Sequence, residues 1–437
     1  MAHLLIIELP GGDDTDLLIA AITRGDEFTF LSAQLDHYRN QPAVWSLLEA
    51  ARELIDVPGF DDIEVMRRVL DVHACRRIDA VLCLLDIRLV EAARLAEKLN
   101  VRHISPATAR LLRDKVSVRS RLAERGIAQP TFELAESNAQ LQAAVQRLGL
   151  PVLIKPADGY GSQNIVVLRH AQDLDPLLTP LTQMLPSRAD YGLGVVANDR
   201  LLVERYLSGT FFGCDTLSVD GRHTIVGLHQ KVMFEPPSFA MRGSTFVPHS
   251  MPNANASMIE RYVVSLLDAV GFNWGAAHTE LMLTAEGLHV IEINPRLVGA
   301  KIARLVSHSL GQSQHARLIA AHLGVQPTEP EPSDALVGVI RWIVAAQPGV
   351  LEAVRLPQWN DPRIRCVEVL KRPGDPVWPP FENADRIGYV MVCGADREEA
   401  ERIADRVVAE ATVVLKTEVQ ASTIEPTLRV HLQVLRS

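Results

Sequence analysis

The sequence is short of long hydrophobic runs: none approaches the roughly 20 apolar residues that a membrane-spanning helix needs, which predicts a protein without a membrane partner. Its N-terminus, MAHLLIIELPGG, lacks the length and basic region of a secretion signal and reads as a first strand. Cysteine is scarce as well. The five (Cys75, Cys83, Cys214, Cys366, Cys393) are odd in number, scattered and without a CxxC spacing. That excludes a disulfide framework and a thiolate zinc site, and predicts buried thiols in a reducing cytoplasm. Basic charge is in deficit: Lys and Arg number 44 against 53 Asp and Glu, for a net charge of −9. With no basic run interleaved with aromatics, nucleic-acid binding is excluded as the main activity. Heptads, tandem repeats and low-complexity tracts are absent too.

What remains is an ordinary globular composition. The chain has 437 residues, 47% hydrophobic and 22% charged, enough for about three domains. Residues 1–112 alternate strand-like runs (HLLIIEL, FTFLSA, IDAVLCLL, VRHIS) with a helix burying Leu89, Ala92, Ala93, Ala96 and Leu99. This predicts an α/β, Rossmann-like unit with a parallel sheet. Gly11-Gly12 after the first strand suits a tight turn better than a ligand cradle. LLRDKVSVRSRLAERG reads as one amphipathic helix with Lys115 at its start, a position that alone says little. FEPPSFAMRGSTFVPHSMP reads as a long loop, its residues 235–252 a candidate substrate lid. Two helices ending at Gly311 and Gly324 follow, then a linker at VQPTEPEPSDA. Residues 329–437 predict an α+β closing domain, with strands at VGVIRWIVA, RCVEVLK, IGYVMVCG and LRVHLQVL around the helix DREEAERIADRVVAEAT.

Three stretches carry chemistry. LIKPADGYGSQNIVVL offers two strands around a glycine loop, with Lys155 alternating against Val152 and Ile154. Glycines admit phosphate oxygens close to backbone N–H groups, although a plain hairpin turn fits the same residues, and the Walker pattern GxxxxGK[ST] is absent. LLVERYLSG places Glu204 before a bend whose backbone suits a purine edge, with an edge-strand charge as the competing reading. HTELMLTAEGLHVIEINPR reads as a β-hairpin around AEG, in which Gly287 takes φ > 0. Pairing Thr284 with Leu288 sets Glu280 opposite Glu292, with Asn294 on the same face and Thr279, Leu281, Leu283, Ile291 and Ile293 on the other. Opposed carboxylates beside an amide suit Mg²⁺ or Mn²⁺, and Arg296 supplies a guanidinium fork; a solvated acidic face is the plainer alternative.

Taken together, Lys115, LIKPADGYGS, VERYLSG, HTELML and IEINPR, in that order and spacing, resemble the ATP-grasp superfamily of carboxylate–amine ligases over about residues 1–327. PGVLEAV, VEVLKRPGDPV and RIGYVMVCGADREEAERIAD resemble the closing domain of its L-amino acid ligase branch. The resemblance implies a Rossmann-like domain at 1–112 and an ATP-grasp domain at 113–328. The latter has a nucleotide flap at about 130–200 and a catalytic sheet at about 201–328, and an α+β domain closes the chain at 329–437. It implies that Lys115, Lys155, Gly159, Gly161 and Ser162 meet the ATP phosphates, and that Glu204, Tyr206 and Leu207 hold the adenine. Glu280, Glu292 and Asn294 would bind Mg²⁺, and Arg296 the acyl phosphate. His249 and His278 are candidates for substrate contact or proton transfer, an ordinary loop histidine being an equal reading of His249. Where relatives place an acid near the ribose, this chain has TFFGCD, which leaves the ribose unassigned. The implied activity joins two small molecules, a carboxylate and an amine (amino acids foremost), through an acyl phosphate; a homodimer is implied by family alone. Activation of a non-amino-acid carboxylate and a non-catalytic nucleotide-binding protein are the alternatives.

Overall fold

The computed structural model describes residues 1–12, 14–60, 63–159, 165–174, 200–235, 238, 240–327 and 336–416. At the N-terminus, β1 (His3–Ile7), α1 (Asp16–Thr23), β2 (Glu27–Ser32), α2 (Leu35–Arg39), α3 (Pro42–Leu48), β3 (Glu53–Asp56), α4 (Ile63–Cys75), β4 (Ala80–Cys83) and α5 (Leu89–Leu99) form a parallel α/β unit. Its sheet runs β3-β2-β1-β4, and every residue of β1 is buried because helices cover both faces. The expected strand at VRHIS is absent. That segment leads instead into α6 (Pro106–Arg113), capped by Ser105, whose Oγ accepts from the Thr108 amide. The single helix expected next is broken at Asp114. Its carboxylate accepts from the Val116 and Ser117 amides and starts α7 (Lys115–Glu124), so Lys115 stands at a helix N-terminus.

A second sheet, β5-β8-β6-β7, is antiparallel: β5 (Phe132–Ala135), β6 (Val152–Pro156), β7 (Val166–Leu168) and β8 (Leu201–Arg205). Helix α8 (Asn138–Leu148) packs Leu141, Ala144 and Val145 on Val152, Ile154 and Val203, which sends Lys155 and Glu204 to the other face.

The large sheet has eight strands in the order β13-β12-β9-β10-β11-β14-β18-β16. They are β9 (Thr210–Val219), β10 (Arg222–Met233), β11 (Met241–Pro248), β12 (Gly275–Thr284), β13 (Gly287–Asn294), β14 (Val337–Ile343), β16 (Ile364–Val369) and β18 (Gly388–Gly394). Helix α9 (Ala256–Val270) covers one face of its β12–β9 half; α10 (Ile302–Leu310) and α11 (Gln314–His322) cover part of the other. The expected lid is corrected here, because Met241–Pro248 is a central strand paired with β10 and β14. The glycine and proline within it, and the prolines flanking it, suggest a loop, yet Ser244 to Val247 are buried in the pleat.

The sheet also crosses the expected boundary at 328/329, since β11 pairs with β14. Helix α12 (Arg397–Glu410) packs on β14 and β18, and β15 (Gly349–Arg355), β17 (Pro376–Val377) and β19 (Thr412–Lys416) make a three-stranded sheet the sequence pattern did not suggest. The strand expected at LRVHLQVL and most of the linker lie outside the described residues. Among the described residues no helix is long and apolar enough to cross a membrane. All five cysteines are free, and Cys75 is exposed rather than buried as expected.

Candidate active site

The β12–β13 hairpin sets Glu280 opposite Glu292 and carries Asn294 opposite His278. The route to that register differs from the expected one. Thr284 pairs with Gly287, whose φ of +118° closes a two-residue turn, and a bulge beside Ile291 restores the carboxylate pairing. The bulge also changes the buried face: Leu288, Val290 and Ile293 enter the core with Leu281, while Ile291 stays half-buried outside it.

Two lysines neutralise the facing carboxylates. Lys115 Nζ lies 2.9 Å from Glu292 and donates to the Gly159 carbonyl at 2.5 Å, and Lys231 on β10 pairs with Glu280. Burial would raise the Glu292 carboxyl from 4.5. Lys115, then Lys155 and Arg296, outweigh it and hold it down to about 2. The pair therefore contributes its stability in full above the ordinary carboxylate range and loses it only as pH falls toward 2. Lys155 reaches Glu204 at 2.8 Å, and Arg119 of α7 reaches the other oxygen of the same carboxylate at 2.5 Å. All three are at least 95% buried. The Tyr206 amide is committed to the Pro151 carbonyl (3.1 Å), and Leu207 is buried beside it.

Arg296 is held by the N-terminal domain. Its Nε and Nη2 donate to Asp86 at 2.9 and 2.8 Å, Nη1 to the Leu297 carbonyl at 3.1 Å, and Nη2 again to Asn294 Oδ1 at 3.4 Å. Four of five guanidinium hydrogens are engaged, leaving one on Nη1. Asp86 follows β4, and Arg88 anchors its loop through Glu8 at 2.9 Å.

His278 is clamped. Its Nδ1 bonds Asp215 Oδ1 at 2.6 Å, His229 Nε2 bonds the other oxygen at 2.8 Å, and His278 Nε2 sits 3.8 Å from Glu280 without a partner. The ring's Cε1–Nε2 edge is packed close to Gly213, where a Cβ would meet His278 Cε1 at 2.5 Å and His229 Cβ at 3.3 Å. Gly213→Ala should therefore displace His278 and lower stability by about 1–3 kcal/mol. A thermal midpoint equal to that of the unaltered protein would contradict this packing account.

The structure thus gathers Lys115, Lys155, Gly159, Glu204, Glu280, Glu292, Asn294, Arg296 and His278 at one cleft. It does not bring His249 there. The His249 amide bonds the Val226 carbonyl, five residues beyond Ser244, which pairs with Lys231; at the strand rise that is about 16 Å away. Gly161 and Ser162 lie outside the described residues. Arg119, Lys231, Asp86, Asp215 and His229 carry little signal in the sequence because the residue each one meets lies in a different segment. Only Asp215, two residues after a glycine in an apolar strand, left a trace.

Residues 148–304 match the ATP-grasp domain family, and residues 341–416 match L-amino acid ligase C-terminal domain 2. An uncharacterized protein of Sinorhizobium fredii is 27% identical over 68% of this chain and 59% of its own length. Dapdiamide A synthase of Enterobacter agglomerans is 26% identical over 48% of each. The chain thus spans less than two thirds of the length of these curated relatives. The crystal structure of an L-amino acid ligase from Bacillus licheniformis superposes with a TM-score of 0.76 at 20% identity, covering 95% of this chain and 99% of that one.

Proposed function

We propose that this chain, which belongs to the ATP-grasp family and carries an L-amino acid ligase C-terminal domain, joins a carboxylate to an amine with conversion of ATP to ADP and phosphate. The observation that carries the reading is the register of Glu280 on Glu292, with Asn294 and Arg296 beside them and Lys115 and Lys155 across the cleft. Amino acids are the first candidates for both substrates.

The donor set fits a hard divalent ion, Mg²⁺ or Mn²⁺. Two carboxylates face each other, and each already draws a lysine to neutralise it. Glu280, Glu292 and Asn294 would hold it, and when bound it supplies charge neutralisation on the phosphoryl oxygens. Lys115 and Lys155 bring positive charge to the same oxygens as the substrate carboxylate attacks the γ-phosphoryl group, giving acyl phosphate and ADP. The amine then attacks the acyl carbon. The remaining Nη1 hydrogen of Arg296, aimed by Asp86, meets the oxyanion, and phosphate leaves as the amide forms. The amine hydrogen passes to solvent or to a base the assigned residues do not include. Glu204 and the backbone at Tyr206 and Leu207 border the adenine, while Gly159 closes over the phosphates through Lys115.

Phosphate release from ATP and Mg²⁺ across pairs of amino acids tests the proposal, with mass spectrometry of the products. Release that requires both a carboxylate and an amine is expected, together with the matching amide mass. Release only with a carboxylate lacking an α-amino group would move the assignment to other acids. No release with any carboxylate–amine pair would sink it.

A further inference from the structure

His289 is the one polar side chain on the catalytic face of β13 that the reaction leaves unused. It is only 8% exposed, and neither ring nitrogen has a hydrogen-bond partner among the described residues. Leu288 and Val290 on either side point into the core, so the imidazole projects to the face that carries Glu292. A buried ring with two orphaned nitrogens is destabilising unless something pairs with it, so its position asks for a ligand.

The register says which part of a ligand. On this face the residues fall into rows across the sheet. Glu292, Glu280 and Gly213 make one row; His289, Met282 and Phe211 make the next, toward the hairpin turn. The rows are two residues apart, about 7 Å at the strand rise. If the phosphates meet the glutamate row and the base meets the Glu204–Leu207 bend, the sugar between them crosses the second row. Met282 and Phe211 have apolar side chains, and the Lys231 ammonium over the Phe211 ring is bound to Glu280. His289 alone in that row has hydrogen-bonding capacity to spare. A neutral imidazole offers one donor and one acceptor, which matches a vicinal diol.

We propose that His289 is the ribose contact of the nucleotide site, hydrogen-bonding the 2′- and 3′-hydroxyl groups and setting the preference for ribonucleotides. The assignment rests on the reading of this cleft as an ATP site.

The test compares ATP with 2′-deoxy-ATP and 3′-deoxy-ATP in the full-length protein with Mg²⁺, by calorimetric affinity and by kcat/KM for ADP formation. The unaltered protein should prefer ATP to at least one deoxynucleotide by about tenfold, the worth of one well-made hydrogen bond. His289→Phe should bring that ratio close to one by weakening ATP while leaving the deoxynucleotide unchanged. His289→Asn, which keeps a donor and an acceptor, should retain part of the preference. A merely structural role would lower all three nucleotides together. Equal affinity of the unaltered protein for all three overturns the proposal without any variant, and so does a His289→Phe ratio matching the unaltered one. Because affinity is read without turnover, a protein that binds ATP selectively but joins no substrates would fail the ligase reading and leave this one standing.

Discussion

Glu292→Gln should abolish ADP formation, lowering the rate on the order of 10³-fold or more, because the change removes charge where phosphoryl charge must be balanced. The substitution keeps shape and hydrogen-bonding capacity. It leaves Glu280 opposite an amide and frees Lys115, which now bonds Glu292 and Gly159 together. Glu292 is only partly buried and Lys115 is also near the cleft surface, so the fold should persist with a thermal midpoint within a few degrees. The measurement is ADP release with the best substrate pair, alongside a melting curve. Retained turnover would refute the metal-binding role. A collapsed melting curve would instead make the hairpin's charge pairing structural.

The second large effect is on stability. Glu204 accepts from Arg119 and Lys155 inside a fully buried triad, and Arg119 also donates to the Ile291 carbonyl at 2.9 Å. Burial alone would raise the Glu204 carboxyl and lower the Lys155 ammonium; mutual attraction offsets this, and the carboxyl ends below its ordinary value. Glu204→Gln leaves two cations buried against a neutral amide, a loss of about 3–5 kcal/mol. For a chain of this size that corresponds to a thermal midpoint roughly 10 °C lower. Adding Arg119→Met should recover part of the loss, since removing both halves of a buried pair costs less than removing one. A midpoint unchanged in Glu204→Gln would mean that water or another group already shares the charge.

How much of this was legible depended on whether a signal was local. Alternation gives the Glu280–Glu292 pairing only with a three-residue turn; the actual turn has two residues, and the bulge at Ile291 makes up the difference. That bulge could not be read, since one extra residue leaves no compositional mark, and it moved Leu288 and Val290 into the core in place of Ile291. Lys155 followed from its alternation with Val152 and Ile154. Arg119, Asp86 and Lys231 each act on a residue 49 to 210 positions away, and no pattern within one segment encodes that. The loop expected around Met241–Pro248 failed for a related reason. Its glycine and prolines are loop-like by composition, while its place between β10 and β14 is set by partners distant in sequence. The break at Asp114 was present in the sequence as a capping residue, but hidden in a continuous helical pattern.

The pairing of β11 with β14 has a consequence for how this fold can be taken apart. Gly243 to Phe246 hydrogen-bond across to Gly338 to Arg341, so the strand that follows the linker seals the open side of β11 in the eight-stranded sheet. A graft that exchanges everything after residue 329 would have to bring a β14 able to complete a foreign β11. One that simply stops there would leave a row of bare amides and carbonyls in the middle of the molecule, ready to recruit another chain. Moving the cut just past β14 only shifts the break, because Val337 to Ile343 pair along their length with Gly394 to Gly388 of β18, so the strands after the linker have to be exchanged or kept as one unit with β11.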